Sequence, residues 1–327
     1  MTIRFAPAIS AAALACCLAS PAFAAETDAA TAAGPVDDTA IAAPATADET
    51  AAAPANVTRA ALTPAIAPVD LKTATGQEEE TPAITVSGSA SLVSDYRFRG
   101  VSQSDEGMAV QGGFTISHSS GFYVGTWGSN LAGWGTFGGA NMELDLIAGF
   151  KLPVGEGTLD TGLTWYMYPN GASETDFAEL YAKLSGTVGP IGLTATVAYA
   201  PKQEALGNWD PVGPTVDPGD KEDNLYLAGD ATYAIEGAPV TLKAHIGYSD
   251  GNPGLGPNGT SVAPTGTYFD WSLGVDVVPI EHLTLSAAYV DTDISEAEAN
   301  LLRPNFATLA GDSISDATVV FSVTASF

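Results

Sequence analysis

The chain has 327 residues, of which 38 are acidic and 11 basic, so its formal net charge at pH 7 is −27. Nucleic-acid binding needs clustered Lys and Arg to contact phosphates, and this balance therefore argues against a nucleic-acid partner. Only 15% of the residues are charged, which is low for a cytosolic enzyme, and 46% are apolar, which argues against disorder along the whole chain.

Residues 1–25 have the layout of a secretory signal peptide. Arg4 precedes an apolar run of about a dozen residues, which ends at Pro21 and the A-x-A triplet 22–24. That run is shorter than the roughly 20 residues that a membrane-spanning helix needs. Both cysteines, Cys16 and Cys17, lie within it, so we expect a mature chain without disulfides, a CxxC metal site or a catalytic thiol.

Residues 26–83 predict a disordered linker. Ala, Thr, Pro and acidic residues dominate this segment, and no aromatic residue is present to offset the entropy of ordering. An Ala-rich helix is the alternative, but prolines interrupt the segment about every ten residues. We interpret the segment as a tether, and binding to peptidoglycan or another periplasmic partner is the second hypothesis.

From Ile84 onward, apolar residues alternate with Ser, Thr, Gly and charged residues. A period of two predicts β-strands, because a helix would repeat its apolar residues at three and four positions. The facing of the third predicted strand is ambiguous. The pattern predicts twelve strands of about ten residues each, at 84–92, 108–116, 121–130, 142–150, 159–167, 178–184, 191–199, 225–233, 240–248, 269–277, 283–289 and 317–327.

The connections between these strands alternate strictly in length. The short turns fall near 119–120, 153–157, 187–190, 236–238 and 279–281. The longer loops fall near 102–107, 131–140, 169–175, 201–222, 251–267 and 292–314. Outer-membrane barrels have this sidedness, whereas a soluble β-sandwich does not sort its loops by length. Residues 84–327 therefore predict an all-β protein, a transmembrane antiparallel up-and-down β-barrel of about twelve strands in the bacterial outer membrane.

The strand ends also fit a membrane. A strand of about eleven residues, tilted by about 40°, spans roughly 28 Å, close to the height of the apolar band of such barrels. Tyrosines at the loop ends and aromatic residues at the turn ends predict two interfacial girdles. They comprise Tyr168, Tyr199, Tyr248 and Tyr289 at the loop ends, and Phe150, Tyr233 and Phe327 at the turn ends.

Residues 93–105 read Val-Ser-Asp-Tyr-Arg-Phe-Arg-Gly-Val-Ser-Gln-Ser-Asp and resemble the opening motif of the TorF family of porins. Segments 109–114 and 121–130 are also similar to that family of proteobacterial proteins, formerly of unknown function. The resemblance covers residues 84–327 and implies an outer-membrane barrel that acts as a porin. It implies no substrate and no site residues. The final strand, ending in Phe327, is similar to the signal that the barrel-assembly machinery recognises.

Residues that alternate along each strand with the lipid-facing apolar residues should point inward and line the lumen. Seven acids against four bases predict a mild preference for cations, if the lumen conducts. A closed barrel is the alternative, because wide aqueous channels belong to barrels of 16–18 strands and inward ion pairs can fill a narrower one. The predicted lumen residues are Arg97, Arg99, Glu143, Asp145, Asp160, Glu179, Lys183, Asp230, Lys243, Asp270 and Asp276, together with His245.

Nothing in the sequence predicts catalysis, a cofactor or a bound metal. His118 and His282 fall at the turn end and His245 faces inward, so none suits an outer-leaflet lipase, and no G-x-S-x-G motif is present. The G-x-G-x-x-G match at 254–259 lies in a Pro-rich loop and opens no helix. Acidic clusters at 217–223 and 291–298 predict solvated loops rather than Ca²⁺ sites. Divalent cations that bridge them to lipopolysaccharide phosphates are the alternative.

These features predict a porin for passive diffusion of small hydrophilic solutes, in contact with outer-membrane lipid and lipopolysaccharide. The alternative is a closed structural or adhesive barrel whose acidic external loops bind partners, for which Trp134 and Trp209 would supply contacts. An outer-membrane hydrolase is a third hypothesis.

Overall fold

The chain forms one closed barrel of twelve antiparallel strands, each paired with its neighbours in the sequence, with the first strand paired to the last. The predicted fold and strand number are confirmed. The signal peptide predicted for 1–25 and the linker predicted for 26–83 lie outside the described residues, apart from Ala83. The computed structural model describes residues 83–206, 220–252, 261–303 and 305–327.

Two short strands in the first long loop add to the twelve of the barrel. In chain order, the strands are β1 (Ile84–Val93), β2 (Arg97–Phe98), β3 (Val101–Ser102), β4 (Ala109–His118), β5 (Phe122–Asn130), β6 (Met142–Val154), β7 (Gly157–Met167), β8 (Phe177–Val188), β9 (Ile191–Gln203), β10 (Glu222–Ala234), β11 (Val240–Gly251), β12 (Thr267–Ile280), β13 (Leu283–Thr292) and β14 (Thr318–Ser326). The hairpin β2–β3 lies outside the barrel sheet.

A continuous apolar belt covers the outside of the barrel. Each of the twelve barrel strands contributes exposed large apolar side chains, among them Leu146, Leu180, Leu273 and Phe321. A soluble monomer does not expose so much apolar surface, and a closed barrel leaves no unpaired strand edge in lipid. The barrel is therefore of the outer-membrane type, with its belt facing lipid.

The two ends of the barrel differ in the length of their connections. Tight turns join strands at one end, such as 155–156 between β6 and β7 and 189–190 between β8 and β9. The loops at the other end are longer and carry short helices. The α-helix α1 (Glu296–Leu302) in the last loop begins with a capping box between Ser295 and Glu298. Among the described residues, no helix is long and apolar enough to cross a membrane.

One aromatic residue of the predicted girdles is misplaced. Tyr168 is 3% exposed and stacks on Phe137, with ring centroids 3.9 Å apart. Its position continues the inward parity of Tyr166, so the side chain turns into the barrel mouth rather than toward lipid. Tyr199 and Tyr289, by contrast, are exposed on the outer face.

Candidate functional site

The first long connection, residues 94–108, folds into the mouth of the barrel. Its β2–β3 hairpin pairs Arg97 with Ser102 and Phe98 with Val101. Phe98 is 3% exposed and Val101 2% exposed, because both pack inside the rim. The prediction treated Arg97 and Arg99 as residues of the lumen wall and began the loop at 102. Both belong instead to this loop hairpin, since Ser94 already lies beyond the end of β1.

The turn of the hairpin consists of Arg99 and Gly100, with φ angles of +46° and +83°. Two consecutive positive φ values are the signature of a type I′ turn, which usually contains Asn-Gly. A side chain at position 100 would collide with Thr292 Cγ2 and lie 3.2 Å from Asp270 Cβ, so only glycine fits there. A non-glycine residue in the left-handed region costs about 1–2 kcal/mol, so Arg99 must be held there by its side chain.

The Arg99 guanidinium lies in a cage formed by Glu179, Asn224 and Tyr226. Arg99 Nη2 donates to Glu179 Oε1 at 2.7 Å, and the side chains of this pair are 0% and 1% exposed. The guanidinium carbon lies 4.1 Å from the centroid of the Tyr226 ring. With its amide oxygen toward the guanidinium, Asn224 accepts from Arg99 Nη1 at 2.7 Å. We call these three residues the Arg99 cage.

A second polar network adjoins the cage. Tyr226 Oη donates to Asp270 Oδ2 at 2.9 Å. His245 lies between two carboxylates, with Nδ1 2.6 Å from Asp230 Oδ1 and Nε2 3.0 Å from Asp270 Oδ1. The network links the neighbouring strands β10, β11 and β12 along the lumen side of the wall.

Ion pairs at the rim hold the base of the hairpin. Asp95 accepts from Arg97 Nε at 2.6 Å and from Ser102 Oγ at 2.6 Å. Arg97 also donates to Glu106 at 2.7 Å and to the backbone oxygen of Asp316 at 2.8 Å, so it ties the first loop to the last. Partial burial raises the pKa of Glu106, and the Arg97 guanidinium opposes this rise.

Two carboxylates on β6 are buried in the lumen. Glu143 and Asp145 are 1% and 0% exposed, and Tyr96 Oη donates to Glu143 Oε2 at 3.1 Å. Tyr168 lies nearby, just after β7. Burial raises the pKa of Tyr168 well above its usual value, and the Glu143 carboxylate adds to the rise.

The loop-end half of the lumen is sealed. Water filling a channel would leave its lining residues accessible, yet each barrel strand has a buried inward residue at this level. A cavity of about 60 Å³ beneath the hairpin, lined in part by Arg99 and His245, has room for a few water molecules. The buried residues, one per strand in chain order, are Val93, Gln111, Trp127, Glu143, Tyr166, Glu179, Thr196, Tyr226, Ser249, Asp270, Thr292 and Ser322.

The turn-end half of the lumen is more accessible to water. Its inward residues are partly exposed, including Asp160, Lys183, Asp230, Lys243 and Asp276. Lys243 Nζ donates to both carboxylate oxygens of Asp276, at 2.8 and 2.7 Å. Asp160 accepts from Tyr123 Oη at 2.7 Å, and Lys183 Nζ lies 5.2 Å from the Tyr181 ring centroid. This half therefore carries charge, and its access to water differs between side chains, since those of Asp230 and Lys243 are each 9% exposed and that of Asp276 is 17% exposed.

The predicted lumen residues thus separate by depth. Arg99, Glu143, Asp145, Glu179 and Asp270 lie in the sealed half, and the partly exposed acids and lysines lie below it. Arg97 lies apart, at the rim. Sequence reasoning missed the cage partners Asn224 and Tyr226, and also Asp95 and Tyr96. Inward parity is the available signal for Asn224 and Tyr226, but neither residue is charged.

Where the structure describes them, the remaining sequence motifs form no further site. His118 bonds Ser120 at the turn end, and His282 is exposed in a turn. Within the described ranges, no group of three or more His, Cys, Asp or Glu side chains could hold a metal ion. Trp134 is buried against Phe306 rather than presented to a partner. Trp209, Asp217 and the segment 254–259 lie outside the described residues.

A family model described as "Bacterial protein of unknown function (Gcw_chp)" matches residues 77–327. The chain belongs to this family. No curated protein matches the chain.

Several solved structures resemble the barrel. The NanC porin is 11% identical, with 74% of this chain and 99% of that chain covered and a TM-score of 0.45. The KdgM porin is 7% identical, with 74% and 99% covered and a TM-score of 0.44. The COG4313 outer membrane channel from Pseudomonas putida F1 is 10% identical, with 78% and 100% covered and a TM-score of 0.38. These similarities are low, and the fold and the membrane assignment rest on the chain's own strands and belt.

Proposed function

We propose that the chain is an outer-membrane porin through which small hydrophilic solutes diffuse passively, with a mild preference for cations. The observation that carries this proposal is the nature of the seal. A loop hairpin, packed against residues of other long loops, closes the lumen at one end, and the barrel wall behind it carries charged and polar residues beside aromatic ones. A loop can leave the mouth without breaking the pairing of the barrel strands.

Charge in the lumen supports the preference for cations. Asp160, Asp230 and Asp276 face the water-accessible half together with Lys183 and Lys243. In the sealed half, Glu143, Asp145, Glu179 and Asp270 outnumber Arg99. Acidic side chains that line a pore lower the energy of a passing cation and raise that of an anion.

Single-channel recording tests the proposal. The full chain, purified from bacterial outer membranes, is placed in a planar bilayer beside a variant in which Arg97–Ser102 is replaced by two glycines. The ends of this segment can be rejoined because Gln103 N donates to Tyr96 O at 2.6 Å. We expect brief, infrequent openings of the unmodified chain, steady openings of the variant, and reversal potentials that indicate cation selectivity.

A specific observation favours a second function, a closed structural barrel, since inward residues are buried on every strand. The same recording separates the two. A hairpin variant that stays silent while it migrates as a folded, heat-resistant barrel would overturn the porin proposal. Anion-selective openings would overturn the charge argument alone.

Partners follow from the same proposal. Outer-membrane lipid and lipopolysaccharide would contact the apolar belt and its rims, and the barrel-assembly machinery would recognise β14. The resemblance of residues 93–130 to the TorF family of porins supports the proposed function. The hairpin lies within this segment, so the part of the chain most similar to the TorF family also lies in the mouth of the barrel.

A further inference from the structure

We propose that the Arg99 cage is a cation-binding site of the lumen, which takes the guanidinium or primary ammonium group of a solute in place of Arg99. The inference deepens the proposed function and rests on it, because a solute would reach the cage through the lumen. Arg99 would then act as a built-in competitor, holding the site while the hairpin fills the mouth.

Glu179 holds the Arg99 guanidinium in this position. Its side chain is 1% exposed, and Arg99 forms a salt bridge with it at 2.7 Å. Its second oxygen, Oε2, has no hydrogen-bond partner among the described parts of the chain. If the hairpin withdrew with Arg99, the Glu179 carboxylate would lose its counter-charge and would face the water that enters the lumen. A solute cation would restore the balance.

The shape of the cage selects an organic cation. The Tyr226 ring offers its face at 4.1 Å from the guanidinium carbon, and a ring face attracts guanidinium and ammonium groups. The Asn224 oxygen supplies a second acceptor at 2.7 Å from Arg99 Nη1, beside the Glu179 carboxylate. Two acceptors and a ring face match the planar donors of a guanidinium. A hard metal ion would need more oxygen ligands than this arrangement provides.

Arg99 is also suited to leave. It belongs to the two-residue turn of a loop hairpin, so it can leave the cage without breaking the pairing of the barrel strands. The cavity beneath the hairpin reaches both Arg99 and the Lys243–Asp276 pair of the accessible half. A cation that arrives from the turn end would therefore meet Asp276 before the cage.

Rescue of an emptied cage tests binding without any need for conduction. The full-length Arg99→Ala variant is heated in detergent with methylguanidinium, with methylammonium, or with the neutral isostere N-methylurea. At about ten times its dissociation constant, a bound cation should raise the unfolding midpoint by about 3 °C or more. N-Methylurea should leave the midpoint unchanged. If Arg99→Ala is not recovered folded, the variant with Arg97–Ser102 replaced by two glycines also empties the cage and takes its place.

Matched variants identify the site. The unmodified chain should show no rise, because Arg99 occupies the cage, and Glu179→Gln combined with Arg99→Ala should abolish the rise. Equal shifts with N-methylurea, or a rise that survives Glu179→Gln, would overturn the cation site.

Recording in a bilayer then separates this inference from the proposed function. In the hairpin variant, methylguanidinium should block the current in resolved events that Glu179→Gln removes. A silent barrel whose midpoint still rises with methylguanidinium would overturn the porin and keep the cage as a cation site. A conducting barrel with neither block nor rise would overturn the cage and keep the porin.

Discussion

The two halves of the lumen are built from the same strands but differ in what fills them. In the turn-end half, inward side chains such as Asp160 and Lys183 are partly accessible to water. In the loop-end half, inward side chains such as Glu179 and Asp270 are buried beneath the hairpin. The first long loop folds inward in this half, and its hairpin packs there against other long loops and against inward aromatic residues of the wall. Phe98 lies in one buried cluster with Tyr226, and Val101 lies in another with Trp134 and Phe306.

The most direct test of the difference between the two halves is to measure water access at one position in each. We expect Ser185→Cys in the turn-end half to react with a membrane-impermeant thiol reagent, and Ser249→Cys, at a position 0% exposed, to remain unlabelled. Both changes are made with Cys16 and Cys17 replaced by Ser, and labelling is measured by mass spectrometry. Equal labelling of the two positions would show that the loop-end half is open.

Removing a buried cation should destabilise the sealed half most. Arg99→Ala leaves Glu179 uncompensated, and we expect the free energy of unfolding to fall by about 3–5 kcal/mol. Lys243→Ala in the other half should cost about 1.5–3 kcal/mol, the range for hydrogen bonds to charged groups, because Asp276 keeps the Ser286 hydroxyl at 2.6 Å and water. Urea unfolding from lipid vesicles, followed by tryptophan fluorescence, measures both. Equal losses would contradict the difference between the halves.

The fit of the hairpin tip can be tested at one glycine. Gly100→Ala combines a positive φ, at about 1–2 kcal/mol, with overpacking against Thr292, at about 1–3 kcal/mol, so we expect a loss of about 2–5 kcal/mol. Gly155→Ala is the control, since its φ of +61° meets open space at a surface turn and only the backbone cost applies. The same urea unfolding compares the two, and a loss no larger at 100 than at 155 would mean that the tip is loosely held.

The smallest effect is expected outside the lumen. Lys202 pairs with Glu222 at 2.8 Å on the external rim, where the side chains are 59% and 38% exposed. Lys202→Ala should change the free energy of unfolding by less than about 1 kcal/mol, because water and salt screen exposed ion pairs. Double-mutant cycles with Glu222→Gln at low and high salt measure this coupling. If this coupling were as large as that between Arg99 and Glu179, burial could not explain why the lumen pair stabilises the barrel more than the exposed pair.

The sequence predicted the barrel well because lipid imposes a rule on every second residue. Leu146, Leu180 and Leu273 had to be apolar, and their neighbours had to be compatible with the interior, so the strands could be recognised one by one. The hairpin could not be recognised in this way. Tyr96, Phe98 and the two arginines also alternate, and the segment therefore looks like a continuation of β1.

Knowing which residues face inward is not enough to predict which of them contact one another in the lumen. Arg99 and Glu179 are 80 residues apart, and parity places both inside without saying which heights meet. The height of each residue depends on the stagger of the strands around the barrel and on the depth of the hairpin. Neither of these can be inferred from the local amino-acid composition. The girdle prediction for Tyr168 is wrong for a related reason. Its position at a strand end predicted an interfacial residue, whereas its inward parity places the side chain in the mouth of the barrel.

The seam between β1 and β14 has a consequence for how the barrel forms. The two strands pair through five residues, Ser89–Val93 opposite Ser322–Ser326, whereas β1 pairs with β4 through ten. A hydrogen bond across this seam, between Ser91 and Thr324, joins residues 233 positions apart. Contacts this distant form late, since the chain between them must first be ordered. Until then, β1 and β14 present two open edges that could pair with other chains. Shielding those edges until the final strand docks is the task that any assembly partner would have to perform.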